Sequence, residues 1–295
     1  MNAPEKGILK PAASPPKAKG VLAPALEIEA VDVDEHCTGS RWVAADPDRL
    51  AHIIAIIAMG QAAHAARIIS ELLPSEPAFD HEALRIDAKR RLSIRGKTTS
   101  EHDASRWQRD GLIFEAISWV AAHETTRGKA LLKDPHLSST TQGLDGLMIE
   151  LNDAGSAVVR ATIFEDKCSD SPRTMFRDGI MPAFKEHHEN KRASDLVATA
   201  AALIEKSGLD GTKATVAAAR ILDKQFRAYR GSLAVTPNDD SLARRKSLFK
   251  GYDELEGIEA NQRIGATLIT SDDLRKWFAE LAVRAIAYID SLEAG

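Results

Sequence analysis

Cysteine is scarce: Cys37 and Cys168 are the two among 295 residues. That excludes a disulfide framework and a cysteine-built zinc site, and it fits a reducing cytoplasm, the expected location. Aromatic residues make up 5% of the chain, which does not indicate a stacking platform for single strands. Charge of one sign is also missing. The net value is −4, so any polynucleotide contact must come from a local basic patch. The most apolar window, 50–73 (LAHIIAIIAMGQAAHAARIISELL), is interrupted by His52, Gln61, His64 and Arg67 before it reaches membrane-spanning length. There is no P-loop, helix-turn-helix or zinc-finger pattern. The opening MNAPEKGILKPAASPPKAKG lacks the apolar segment and cleavage signal of a secretory leader, and 1–24 is expected to be a mobile tail.

What is present is the composition of a globular chain, 44% hydrophobic and 28% charged. ALEIEAVDVD alternates apolar and acidic residues, which predicts extended structure over 25–43. A helix or helix pair is expected over 46–73, a short helix over 81–92 and a loop over 93–105. Leu112, Ile113, Ala116, Ile117 and Val120 follow helical spacing. LDGLMIEL and SAVVRATIFED, separated by Asn152-Asp153-Ala154-Gly155, predict a β-hairpin. Ser171-Pro172 opens a helix, and further helices are expected over 195–206 and 214–227. AYRGSLAVT and RIGATLIT read as strands, and Ser271-Asp272-Asp273 caps a last helix. The fold class expected is α/β, a mixed sheet flanked by helices. The division expected is a mainly helical extension, 25–100, serving regulation or partner docking, followed by a domain over 101–295.

The second strand of the hairpin ends in Glu165-Asp166-Lys167 instead of turn residues. Alternation puts Glu165 and Lys167 on one face, with Val159, Ala161 and Ile163, and Asp166 on the other. Antiparallel pairing brings Asp145 to the same place. Two carboxylates held close repel unless a cation lies between them, and oxygen ligands favour Mg²⁺ or Mn²⁺. Glu115, at the margin of an apolar helical stripe, is a third carboxylate; Glu124 on the same helix is its alternative. The plainer readings are a turn aspartate at Gly-Leu-Asp-Gly, a solvated ion pair at the strand end and a surface glutamate at 115. His187-His188 reads as a solvated helix end, and Cys168 as a small core residue.

The set Glu115, Gly143-Leu144-Asp145 and Glu165-Asp166-Lys167 resembles the PD-(D/E)XK nuclease superfamily over roughly residues 106–200. Gly-Leu precedes the aspartate where the superfamily name has proline. The resemblance implies a restriction-endonuclease-like αβββαβ core and metal-dependent hydrolysis of DNA phosphodiesters. It implies Asp145, Glu165 and Glu115 as metal-binding side chains, with the Asp166 main-chain carbonyl a further ligand and Lys167 assisting the attacking water. A separate chain with this core is similar to anti-phage defence nuclease subunits of the Hachiman type, which implies a partner helicase or sensor subunit; a homo-oligomer is also compatible. Arg173, Arg177 and Lys185, after the charged strand, are the expected phosphate contacts, ahead of the basic runs 89–97 and 244–246. The alternative is a catalytically silent nucleic-acid-binding or assembly subunit of the same fold.

Overall fold

The structure is a computed structural model that describes residues 22–137 and 143–293. Most of the expected tail, 1–24, and the segment 138–142 lie outside those residues. In chain order the strands are β1 (Leu26–Asp34), β2 (Cys37–Ala44), β3 (Leu131–Leu132), β4 (Gly146–Leu151), β5 (Val158–Cys168), β6 (Arg227–Val235) and β7 (Arg263–Ile269). The helices are α1 (Pro47–Ala58), α2 (Ala62–Ser70), α3 (Glu82–Leu92), α4 (Thr99–Thr126), α5 (Pro172–Met175), α6 (Met181–His188), α7 (Ala193–Lys206), α8 (Gly211–Ala219), α9 (Leu242–Leu248) and α10 (Leu274–Leu292). No helix among the described residues is long and apolar enough to cross a membrane.

The fold is mixed α/β. The described strands form one sheet in the order β1-β2-β7-β6-β5-β4-β3. Neighbours β2, β7, β6 and β5 run parallel, while β1 against β2, β4 against β5 and β3 against β4 are antiparallel. Central β6 is buried at every residue, as a strand covered on both faces must be. One apolar cluster joins α1, α2, α4 and α10 to Trp42, Ala234, Ala266 and Leu268. The other joins Leu147, Ile163, Tyr229 and Leu233 to α6, α7, α8 and Phe249. From Thr99 to Val235 the order is one helix, three strands, a run of helices and a strand.

The expected split at 100/101 has no counterpart in the fold. It falls inside α4, and residues on either side share both the sheet and the first cluster. The expected loop over 93–105 is cut short, because Thr98 and Glu101 form a capping box that starts α4 at Thr99. The expected helix over 214–227 ends at Ala219, and short 3₁₀ turns follow. The two-residue β3 carries too little pattern to be legible.

The hairpin forms as expected. Asn152 Oδ1 accepts from Ser156 N at 2.9 Å and Ala157 N at 3.1 Å, and Gly155 supplies a φ of +65°. A register shift between Glu150 and Leu151 then pairs Leu151 with Val158. The bulge turns Val158 inward and leaves Val159 47% exposed, so the apolar face expected at Val159 begins instead at Ala161.

Candidate functional site

Strand pairing carries Asp145 and the end of β5 together. Gly146 is opposite Phe164, so Asp145 lies beside Glu165 one step further on. Lys167 Nζ is 2.6 Å from Asp145 Oδ2 and 3.0 Å from Glu165 Oε2. Asp166 N donates to the same Asp145 oxygen at 3.0 Å, so that carboxylate is held by the main chain and the ammonium together. Glu165 is buried, while Asp145 and Lys167 reach the surface of a cleft of about 230 Å³. Glu115, His136, Asp166, Cys168, Trp107 and Met175 also line that cleft.

The electrostatics follow from burial. Desolvation, with Asp145 beside it, pushes the Glu165 carboxyl up to about 8 against the pull of Lys167. Burial alone would lower Lys167, but Glu165 and Asp145 outweigh it and hold the ammonium firmly charged. Asp166 turns to the α4 side. Burial and then Asp145 raise it to about 6, opposed by Arg230 and the hydroxyls of Ser118 and Ser232. Arg230 itself is buried, its guanidinium 3.5 Å above the Phe164 ring and bonded to Ser118.

Of the two helical glutamates, Glu115 faces the cleft. Its Oε1 accepts from His136 N at 2.7 Å and lies 3.0 Å from His136 Nδ1. His136 Nε2 is 2.9 Å from Lys133 Nζ, which makes the neutral Nδ1–H tautomer the one that fits both neighbours. Lys133 is lowered by burial, against the attraction of Glu115 and Asp145. Neither Lys133 nor His136 carries a spacing signal; only the return of the chain beneath α4 brings them here. Glu124 points elsewhere and binds the start of β1.

A second set of ions braces the cleft behind Cys168. Arg275 reaches Asp110 and Asp170, both at 2.8 Å, and Arg109 lies 2.7 Å from Asp110. Cys168, 3.7 Å from Arg275, is pushed up to about 12 chiefly by burial, which makes it a poor nucleophile.

The basic residues expected to grip phosphate are engaged within the protein. Arg173 Nη1 donates to Leu248 O at 3.0 Å and Lys250 O at 2.7 Å, closing the end of α9. Arg177 pairs with Asp178, and Lys185 with Glu254. A π-helical turn over Phe176–Ile180 also interrupts the single helix on which Arg173 and Arg177 are expected to lie four apart, with Lys185 beyond. His187 and His188 are buried, not solvated; His188 bonds Glu256 O at 2.8 Å. Among the described residues, no group of three or more His, Cys, Asp or Glu side chains is placed to hold a metal ion. Neither family models nor curated proteins match this chain.

Proposed function

We propose that this chain is a metal-dependent phosphodiester hydrolase acting on DNA, built on a PD-(D/E)XK core. The observation that carries the reading is the meeting of Asp145, which precedes β4, with Glu165 and Lys167 at the end of β5, beside one cleft that also receives Glu115. The element order from α4 to β6, with β6 parallel to β5 and β4 antiparallel to it, supports the αβββαβ core.

The donor set fits a hard divalent ion. Asp145 and Glu165 supply carboxylate oxygens, the Asp166 carbonyl follows Glu165 in the chain, and Glu115 also lines the cleft. Burial, with Asp145 beside it, raises the Glu165 carboxyl against the pull of Lys167, and a divalent cation there would favour its ionised form. Bound there, Mg²⁺ or Mn²⁺ would neutralise phosphate charge and make a water more acidic. The Lys167 ammonium holds and orients the attacking water. Because it stays charged, it acts as a hydrogen-bond donor and not as the base. The water oxygen bonds to phosphorus as the P–O3′ bond breaks. One water proton ends on the 3′ oxygen, leaving 3′-hydroxyl and 5′-phosphate ends.

A second reading has an observation of its own. Lys167 already bridges both carboxylates, and no three-residue metal group stands among the described residues. A silent nucleic-acid-binding or assembly subunit would look this way. Nicking of supercoiled plasmid in Mg²⁺ and in EDTA, with filter binding alongside, separates the two. The hydrolase nicks in Mg²⁺ alone and Glu165→Ala abolishes nicking without unfolding. Undiminished Mg²⁺-dependent nicking by Glu165→Ala overturns the assignment. Defence against phage, with a helicase or sensor partner, is the biological setting proposed.

A further inference from the structure

A second depression lies along α4 on the N-terminal side of the cleft. Glu101, Ala104, Ser105 and Gln108 of α4, with Arg95, Gly96 and Lys97 before it, line an open groove of about 720 Å³. Gly111, Leu112 and Glu115 line the cleft. Positions 101, 104, 108, 111 and 115 are spaced by three and four, so both depressions lie on one helix face. At about 1.5 Å per residue, the groove centre is roughly 16 Å along the axis from Glu115.

Several features of this face lack a partner among the described residues. Trp107 lines the cleft and is 57% exposed, with no stacked or edge-on aromatic partner among the described residues. The side chains of Arg95 and Lys97 are exposed and form no ion pair among the described residues. Their main-chain N–H groups, by contrast, are bonded to Ser105 and Glu101. Glu101 adds a carboxylate to the groove, but it is occupied by the N–H groups of Lys97 and Thr98. Gly111 sits in the interior of a 28-residue helix, where glycine costs about 1 kcal/mol relative to alanine. Packing does not require it, since a Cβ there would meet no atom within 4 Å. A glycine that lines a cleft with open space where its Cβ would stand leaves room for something that is not protein.

We propose that this face of α4 is a track for a single-stranded stretch of polynucleotide leading into the cleft. An unpaired base stacks on Trp107, the strand passes over Gly111, and Arg95 and Lys97 hold phosphates on the side away from Glu115. The low aromatic content of the chain hides this, because one placed tryptophan suffices for one base. A paired base inside a duplex has both faces covered, so the exposed ring selects an unpaired strand. The inference rests on the hydrolase reading for what happens at the cleft, but not for binding.

The test is fluorescence anisotropy in EDTA with a labelled 20-nucleotide oligothymidylate and, separately, a duplex of equal length, over a range of KCl. Trp107→Leu should weaken oligothymidylate binding by about 5- to 100-fold and leave the duplex unchanged. Arg95→Glu with Lys97→Glu should weaken it at least about tenfold and reduce the salt slope by about 1.4, for two phosphate contacts on a single strand. Gly111→Ala should bind nearly as wild type, and Gly111→Phe should not bind, with both folded by circular dichroism. The proposal is overturned if wild type binds neither ligand, if these variants match wild type, or if Trp107→Leu weakens duplex and single strand alike. Glu165→Ala, tested for nicking in parallel, keeps the outcomes distinct. If it is inactive while the track variants bind and cut normally, the track fails and the hydrolase reading stands. If it nicks as wild type while Trp107→Leu loses single-strand binding, the reverse holds.

Discussion

Ala25 N donates a 2.7 Å hydrogen bond to Glu124 Oε1, and Leu26 N lies 3.1 Å from Glu124 Oε2, so one carboxylate fastens the start of β1 to the end of α4. Glu115 sits on the same helix and turns to the cleft. Two glutamates that look alike in sequence therefore have separable roles. Glu124→Ala should lower stability by about 1–3 kcal/mol in urea unfolding, since two main-chain donors lose their acceptor, with unchanged nicking per folded molecule. Glu115→Gln, which keeps an oxygen for His136 N, should fold normally and lose at least about tenfold in nicking rate. The opposite pattern, with activity lost at Glu124 and stability lost at Glu115, would sink this assignment.

Lys167 is the counter-ion of both Asp145 and Glu165. Lys167→Met leaves two carboxylates facing each other, one of them buried. In EDTA the variant should be less stable than wild type by about 1–3 kcal/mol, a partial cost because Asp145 and Lys167 are not fully buried. Millimolar Mg²⁺ should return more stability to the variant than to wild type, since an ion that binds the folded state alone stabilises it. Thermal melts with and without Mg²⁺ measure both terms. Equal Mg²⁺ responses in the two proteins would argue against a cation site between these carboxylates.

The hairpin was readable because Asn152 to Gly155 and the flanking alternation are local signals, and strand parity alone places Glu165 and Lys167 on one side of β5. The long-range facts were not. That β2 lies beside β7 depends on pairing across more than two hundred residues, which no local pattern encodes. Segment 25–100 therefore read as separate although it completes the sheet. Val159 failed because a bulge shifts parity without changing composition. Arg173 read as a free cation because its partners, the Leu248 and Lys250 carbonyls, are main-chain groups that carry no sequence signature. His136 and Lys133 came to the cleft by tertiary placement alone.

Gly265 and Phe249 show how tightly the second face of the sheet is closed. A Cβ at Gly265 would fall 2.6 Å from the Phe249 ring, which itself packs edge-on against Phe176. The ring cannot retreat without disturbing Phe176 and Tyr252, both buried. Gly265→Ala should cost about 1–3 kcal/mol or more from overpacking. Gly265→Ala combined with Phe249→Leu should recover part of that loss relative to the sum of the single changes. Additive costs in the double variant would mean the clash is relieved elsewhere.

The pH dependence of stability is set by groups with opposite signs. His187 is 1% exposed with both ring nitrogens unpartnered among the described residues, and burial, then Arg192 and Arg227, lower it to about 4. His123, packed against Trp119 at 4.0 Å, is lowered to about 4 by burial. Unfolded, each would bind a proton near 6.5. As pH falls from about 6.5 towards 4, the unfolded chain gains protons that the folded one refuses, so stability drops, by at most about 3 kcal/mol per histidine. Glu165 runs the other way. Its raised value makes the folded state the better proton binder between about 4.5 and 8, so its contribution grows as pH falls through that window. Replacing the histidines isolates their share. His187→Leu should flatten the decline in melting temperature between pH 6.5 and 4.5, and Glu165→Gln should steepen it by removing the opposing term. If His187→Leu declines as steeply as wild type over that range, the buried ring is not the acid-sensitive group.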